Sequence, residues 1–214
     1  MEKEKIFSYI DHTRLSPVST WEEIKALCTE AVKYKTASVC IPPCYIEAVK
    51  ESFPELKICT VIGFPLGYMT TEAKAYEASD AVVKGADEID MVVNLCHVKN
   101  GQFFEVTNEI KEIKASCRGK LLKVIIETCY LTEEEKIKLC KCVTEAGADY
   151  IKTSTGFGTG GATPEDIKLF KENIGENVKM KAAGGVKSKE DLEMYIELGC
   201  SRIGTSSAVK ILTE

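Results

Sequence analysis

Along the chain, short apolar runs alternate with longer segments whose apolar positions recur at helical spacing. The runs fall at Ser8–Thr13, Ala37–Ile41, Lys57–Ile62, Glu88–Asn94, Leu121–Glu127, Asp149–Thr153, Val178–Ala182 and Arg202–Thr205. They are short and several are rich in Val and Ile, as suits strands buried on both faces of a parallel sheet. Helices are expected between them, roughly at Thr20–Lys33, Cys44–Phe53, Thr70–Lys84, Gly101–Cys117, Thr132–Ala146, Thr163–Asn173 and Ser188–Leu198. Local signals mark their ends. Ser19 with Glu22, and Thr20 with Glu23, both have capping-box spacing. Thr132 precedes three glutamates, which suit the positive end of a helix dipole, and Pro164 stands at a first helical position. Gly85, Gly147 and Gly199 each follow a helical pattern as stops.

Eight strand–helix units in 214 residues average about 27 each. The count predicts a (β/α)8 TIM barrel in a single domain over residues 1–214, with a short N-terminal helix. An open doubly wound sheet is the alternative, because alternation by itself does not require closure. No linker or composition break divides the chain.

The strands carry charges where burial demands apolar residues. Side chains alternate faces with period two. Asp90 stands opposite Ile89, Met91 and Val93, and Lys123 opposite Leu122 and Val124. Lys152 likewise opposes Ile151, and Lys181 lies between Met180 and Ala182. With the apolar face turned to the outer helices, these charges point into the barrel. Their separations of 33, 29 and 29 residues are one unit each, and Asp11 on the first strand joins them. Outward snorkelling at strand ends is the structural alternative for the lysines. Buried charges are costly unless paired, so a purely structural network is a poor arrangement.

Clustered lysines suit covalent chemistry. A lysine nucleophile must be neutral, a change of about 4–5 kcal/mol from its ordinary state at pH 7. A second ammonium about 5 Å away supplies about 3 kcal/mol at an effective dielectric near 20, and burial can supply the rest. Lys152 beside Lys181 therefore reads as an amine able to form a Schiff base, with Asp90 moving protons.

The chain's last third offers an anion site. Gly184 and Gly185 follow the seventh strand, and Gly204, Ser206 and Ser207 lie at and beyond the eighth, before a short terminal helix. Backbone N–H groups and hydroxyls there can converge on a phosphate, at the position where such barrels commonly bind one. Gly156 to Gly161 form a third wall. Ordinary turn glycines are the alternative reading.

Composition narrows the partners. A net charge of -5 argues against a nucleic-acid surface, and no apolar run approaches the roughly 18 residues that span a bilayer. The charged start, Met1 to Lys5, fits no secretory signal, so a cytoplasmic location is expected. Ten cysteines are then expected to be free thiols, with Cys59, Cys96, Cys129 and Cys140 packing as small hydrophobes. Cys40 and Cys44 are four apart, but there is no CxxC pair and only two histidines, so no metal site is expected.

The combination Ile10-Asp11-His12-Thr13, Ser38-Val39-Cys40, Glu88-Ile89-Asp90-Met91-Val92-Val93-Asn94, Leu122-Lys123-Val124-Ile125-Ile126-Glu127-Thr128, Tyr150-Ile151-Lys152-Thr153-Ser154-Thr155-Gly156-Phe157 and Lys181-Ala182-Ala183-Gly184-Gly185 resembles the deoxyribose-phosphate aldolase family over nearly the whole chain. The resemblance implies a class I aldolase without metal or cofactor. Such an enzyme interconverts 2-deoxy-D-ribose 5-phosphate with acetaldehyde and D-glyceraldehyde 3-phosphate. It implies Lys152 as the Schiff-base lysine, Lys181 as the lysine that eases its proton loss, and Asp90 as the acid/base acting through water. Lys123 and Asp11 support them, and Cys40 lies near the pocket without being essential. Gly156, Gly184, Gly185, Gly204, Ser206 and Ser207 are the implied phosphate contacts, and a homodimer or homotetramer the implied assembly. One departure is that some members end in a tyrosine-bearing tail that assists proton transfer, whereas Lys210 to Glu214 carries none. Slower proton transfer is the expectation. Rival readings are another Schiff-base barrel aldolase, or a barrel that only binds sugar phosphates.

Overall fold

The computed structural model of the chain describes residues 1–213; Glu214, at the end of the tail just mentioned, lies outside them. Eight parallel strands close into a barrel in sequential order. They are β1 (Ile10–Thr13), β2 (Ser38–Ile41), β3 (Ile58–Ile62), β4 (Glu88–Val92), β5 (Leu121–Ile125), β6 (Tyr150–Lys152), β7 (Lys179–Ala183) and β8 (Arg202–Thr205). The helices are α1 (Lys3–Phe7), α2 (Trp21–Tyr34), α3 (Ile46–Ser52), α4 (Thr71–Val83), α5 (Leu95–Lys99), α6 (Phe103–Ser116), α7 (Glu133–Glu145), α8 (Pro164–Asn173), α9 (Lys189–Glu197) and α10 (Ala208–Thr213). Pairing of β8 with β1 rules out the open sheet.

Capping chemistry fixes where the helices begin. Of the two candidate boxes before α2, Thr20 with Glu23 forms, and Thr132 with Glu135 and Ser188 with Asp191 repeat the device. Thr163 caps α8 by accepting from the Asp166 backbone N–H. The sequence pattern had no sign of α5, where Asn94 accepts from the Cys96 and His97 N–H groups and starts a single turn. Strand β5 ends earlier than its apolar run, because Glu127 adopts φ 52° and turns the chain into a 3-10 helix, Thr128–Tyr130.

The alternation of faces sorts the core into two compartments. Ile10, Val39, Ile58, Ile89, Leu122, Val124, Ile151, Met180 and Ile203 turn outward and are buried against the helices in one continuous apolar cluster. Inside the barrel the ionisable residues gather, and Cys40 and Cys59 pack with Val61 in a small patch under Leu15 and Phe64.

Candidate active site

Register places the lumen charges side by side. Asp90 pairs with Lys123, Lys152 with Lys181, and Lys181 with Arg202 across neighbouring strands. Asp90 is the hub. Its Oδ1 accepts from Lys123 Nζ at 2.8 Å. Its Oδ2 accepts from Lys152 at 2.8 Å and from Lys181 at 2.7 Å. Two bonds of 2.8 and 2.7 Å to one oxygen hold the two ammonium nitrogens at most about 5.5 Å apart. Asp11 Oδ2 lies 2.5 Å from Lys181 and 3.7 Å from Lys123.

Two further members complete the network: Glu88, 2.7 Å from Lys123, and Arg202, which takes both oxygens of Glu88 at 2.8 Å and Asp11 Oδ1 at 2.7 Å. Sequence reasoning passed over both. Period two from Asp90 leads back to Glu88, and from Gly204 back to Arg202, so the alternation that found the lysines contained them. Among the described residues the lumen thus holds four cations that are buried or nearly so (Lys123, Lys152, Lys181, Arg202) and three carboxylates (Asp11, Glu88, Asp90), while exposed Lys179 lies 5.9 Å from the Tyr150 ring.

The fields run in consistent directions. Burial opposes ionisation of Asp90, but Lys123, Lys152 and Lys181 override it and hold the carboxyl well below the usual carboxylate range. Asp11 is likewise lowered, burial being outweighed by Lys181, Lys123 and Arg202. Burial works against the Lys181 ammonium too, yet Asp11 and Asp90 raise it above an ordinary lysine. Lys181 is therefore a fixed cation. It does not simply crowd Lys152 as expected, because the Asp90 carboxylate stands between them and accepts from both. Asp90 also meets Lys152 directly.

Only part of this network faces outside. A cavity of about 560 Å³ opens at the carboxyl ends of the strands, and Lys152 lies on its wall. Lys181, Lys123, Asp90 and Asp11 are fully buried beneath. Gly156, Gly184, Gly185, Gly204, Ser206 and Ser207 all line this cavity with Lys152. Arg14 and Lys187, which the sequence reading did not single out, add positive charge to its rim. Gly204 has a second role: a Cβ there would meet Lys181 Cε at 3.1 Å, so the missing side chain makes room for that lysine. Gly161 and Gly184 bring the loops after β6 and β7 into backbone contact. A Cβ on Gly161 would lie 2.4 Å from Gly184 O, and the Ala162 N–H donates to both Ala183 O and Gly184 O.

The thiols need correction. Cys140 is buried as expected, whereas Cys96 is exposed on α5 and Cys129 only partly buried. Cys59 is no simple hydrophobe. It lies in register with Cys40, its Sγ is 3.1 Å from Asp90 Oδ1, and it accepts from Lys123 at 3.2 Å. Cys44, exposed, does not join buried Cys40. The cluster of Cys40, Cys59 and Asp90 has the spacing of a cation site, but the Lys123 ammonium already occupies the approach to both Cys59 and Asp90.

With this geometry in hand, comparison with known proteins is decisive. A model of the DeoC/LacD family aldolases matches residues 5–207. The chain belongs to this family. It is 60% identical over 213 residues to the deoxyribose-phosphate aldolase of Clostridium botulinum (strain Alaska E43 / Type E3), covering 99% of this chain and 96% of that one. Among solved structures, an aldolase designated QR15 superposes with a TM-score of 0.93 at 40% identity, over 97% of this chain and 94% of that one. The tetrameric deoxyribose phosphate aldolase of Aeropyrum pernix gives a TM-score of 0.88 at 34% identity, over 99% and 91%. The chain is thus an aldolase-family TIM barrel, as its sequence implied. Among the described residues no helix is long and apolar enough to cross a membrane.

Proposed function

We propose that the chain cleaves 2-deoxy-D-ribose 5-phosphate reversibly to acetaldehyde and D-glyceraldehyde 3-phosphate through a Schiff base on Lys152. One observation carries the assignment of the nucleophile. Lys152 alone of the lumen lysines lines the cavity, while it still touches Asp90.

In cleavage, the Lys152 amine adds to the C1 aldehyde of the open-chain sugar, and loss of water gives a protonated imine. A base removes the proton of the C3 hydroxyl and the C2–C3 bond breaks. Its electron pair flows to the imine nitrogen, giving an enamine and releasing D-glyceraldehyde 3-phosphate. Protonation at C2 and hydrolysis then free acetaldehyde and Lys152. Asp90 is the acid/base residue. When the imine cation becomes a neutral enamine, Asp90 loses one of its three cationic neighbours, which strengthens its hold on a proton at that step. Lys181, kept cationic by Asp11 and Asp90, fixes Asp90 in place. Lys123 and Asp11 support that arrangement from below, and Cys40 packs beside it.

The phosphate would sit among Gly156, Gly184, Gly185, Gly204, Ser206 and Ser207, with Arg14 and Lys187 adding charge. Anchoring that remote group orients the reacting carbons. In this route the protonated imine itself is the electron sink, so no metal or cofactor takes part in the proposed steps. The tetrameric relative supports a homo-oligomer, which light scattering would test, and membership of an aldolase family fits a cytoplasmic location.

Borohydride reduction in the presence of acetaldehyde, followed by peptide mass mapping, tests the reading. A reduced two-carbon adduct on the Lys152 peptide is expected. An unmodified Lys152 with the protein folded overturns it. A donor screen separates other Schiff-base aldolases, since acetaldehyde should be accepted far better than dihydroxyacetone.

A further inference from the structure

We propose that Arg202 and Glu88 are positioning residues that fix how many protons the lumen lysines keep, and thereby hold Lys152 as the amine. The inference rests on the Schiff-base reading above and adds to it the origin of the free amine.

Every strand contributes an ionisable group to the lumen. β1 gives Asp11, β2 and β3 the thiols of Cys40 and Cys59, and β4 Glu88 and Asp90. β5 gives Lys123, β6 Tyr150 with Lys152, β7 Lys181, and β8 Arg202. Four cations face three carboxylates in a space almost closed to water. A surplus charge there is expensive, and loss of one proton removes it. Arginine does not give up its proton. Lys123 is bracketed by Glu88 at 2.7 Å and Asp90 at 2.8 Å, and Lys181 by Asp11 at 2.5 Å and Asp90 at 2.7 Å. Lys152 has a single carboxylate oxygen, shared with Lys181, and the cavity at its other side. Lys152 is therefore the least firmly paired of the lumen lysines.

Arg202 creates the surplus. Its guanidinium occupies both oxygens of Glu88 and one of Asp11, and the Tyr150 ring lies 6.0 Å from it. Without that charge the lumen would hold three cations and three carboxylates, and every lysine would keep its proton. Without the Glu88 charge it would hold four against two, and the amine would be favoured further. The two residues touch each other and neither lines the cavity, yet they act on Lys152 with opposite sign. A purely structural role would move activity in one direction for both. Cys40 is the competing regulator: the neighbouring Cys59 thiol and the Lys181 charge favour its ionisation, and a thiolate would itself cancel the surplus.

The test is the pH dependence of kcat/KM and of borohydride trapping with acetaldehyde, for the full-length protein and its variants. Arg202→Met is expected to move the acidic limb up by about one pH unit and to slow trapping at pH 6 about tenfold. Arg202→Lys, which keeps the charge, should restore both. Glu88→Gln should move the limb down. Limbs that stay in place, or that move in the same direction for both charge-removing variants, overturn the proposal. So does a limb that moves only in Cys40→Ala. If Arg202→Met does not fold, the near-isosteric Glu88→Gln carries the test alone. Failure of wild-type trapping is a separate result, since it removes the Schiff-base reading itself.

Discussion

Two of the buried charge clusters in this barrel are built on different rules. Outside the lumen, Lys74 on α4 meets Glu109 on α6 at 2.8 Å. Lys74 also donates to Val92 O at 2.8 Å, and Glu109 accepts from the Asn94 N–H at 3.1 Å. One cation faces one carboxylate, and the remaining contacts go to backbone at the end of β4. The lumen holds seven charges that do not balance, and one of them borders a cavity. A closed pair ties elements together. An unbalanced set with an opening puts one amine within reach of a ligand, which a structural pair has no need of.

The largest expected effect separates the two sets by function. Lys152→Met should lower kcat roughly 10⁴-fold or more, while thermal unfolding shows the stability unchanged or raised, because Asp90 keeps its hydrogen bonds from Lys123 and Lys181. A destabilised Lys152→Met would mean that the lumen lysine serves structure instead. Lys74→Met should do the reverse. It strands the Glu109 carboxyl and should cost about 3 kcal/mol in denaturant unfolding, with imine trapping on Lys152 still detectable.

The pH dependence of stability sharpens the contrast. Asp11 and Asp90 are lowered in the fold, so their stabilisation is present above about pH 4, the ordinary carboxylate range, and lost as pH falls through their lowered values. Lys123 and Lys181 are raised, so theirs is present below about pH 10 and lost as pH rises through their raised values. The contribution of these four groups should be flat between those limits. The outer pair slopes instead. Burial pushes Glu109 up and Lys74 down, each against the pull of its partner. Stability should therefore fall as pH rises from about 4.5 through the raised Glu109 value, and recover toward about pH 10 as Lys74 is relieved of its charge. The smallest effect follows. The double variant Lys74→Met, Glu109→Leu should be close to neutral or slightly more stable, since apolar replacements often match a buried pair. Its unfolding curves should lack that slope. A double variant as unstable as Lys74→Met alone would show that the pair does more than fill space.

The alternation of apolar runs and amphipathic segments made the barrel legible, since parallel strands buried on both faces leave that trace. Closure was not in the pattern; it is a property of the β1–β8 register. Lys152, Lys181 and Asp90 stood out because a charge amid Val and Ile has no bland reason to be there. Arg202 and Glu88 begin their strands, where a charge looks like a solvated end, and only the turn of the barrel shows them facing inward. The placement of Asp90 between the two lysines was also hidden. Sequence separations give neighbouring strands, but not which oxygen a side chain reaches. The short helix α5 depends on the Asn94 side chain capping a turn too brief for periodicity to register.

The contact of Gly161 with Gly184 has a consequence for anyone who would alter substrate range. The loops after β6 and β7 lean on each other through bare backbone, with no room for a methyl group between them. Transplanting one of these segments from a relative without its neighbour would force the pair apart and displace the walls on which the substrate's far end would rest. Re-engineering must therefore exchange both as a single cassette, much as two halves of a hinge are replaced together.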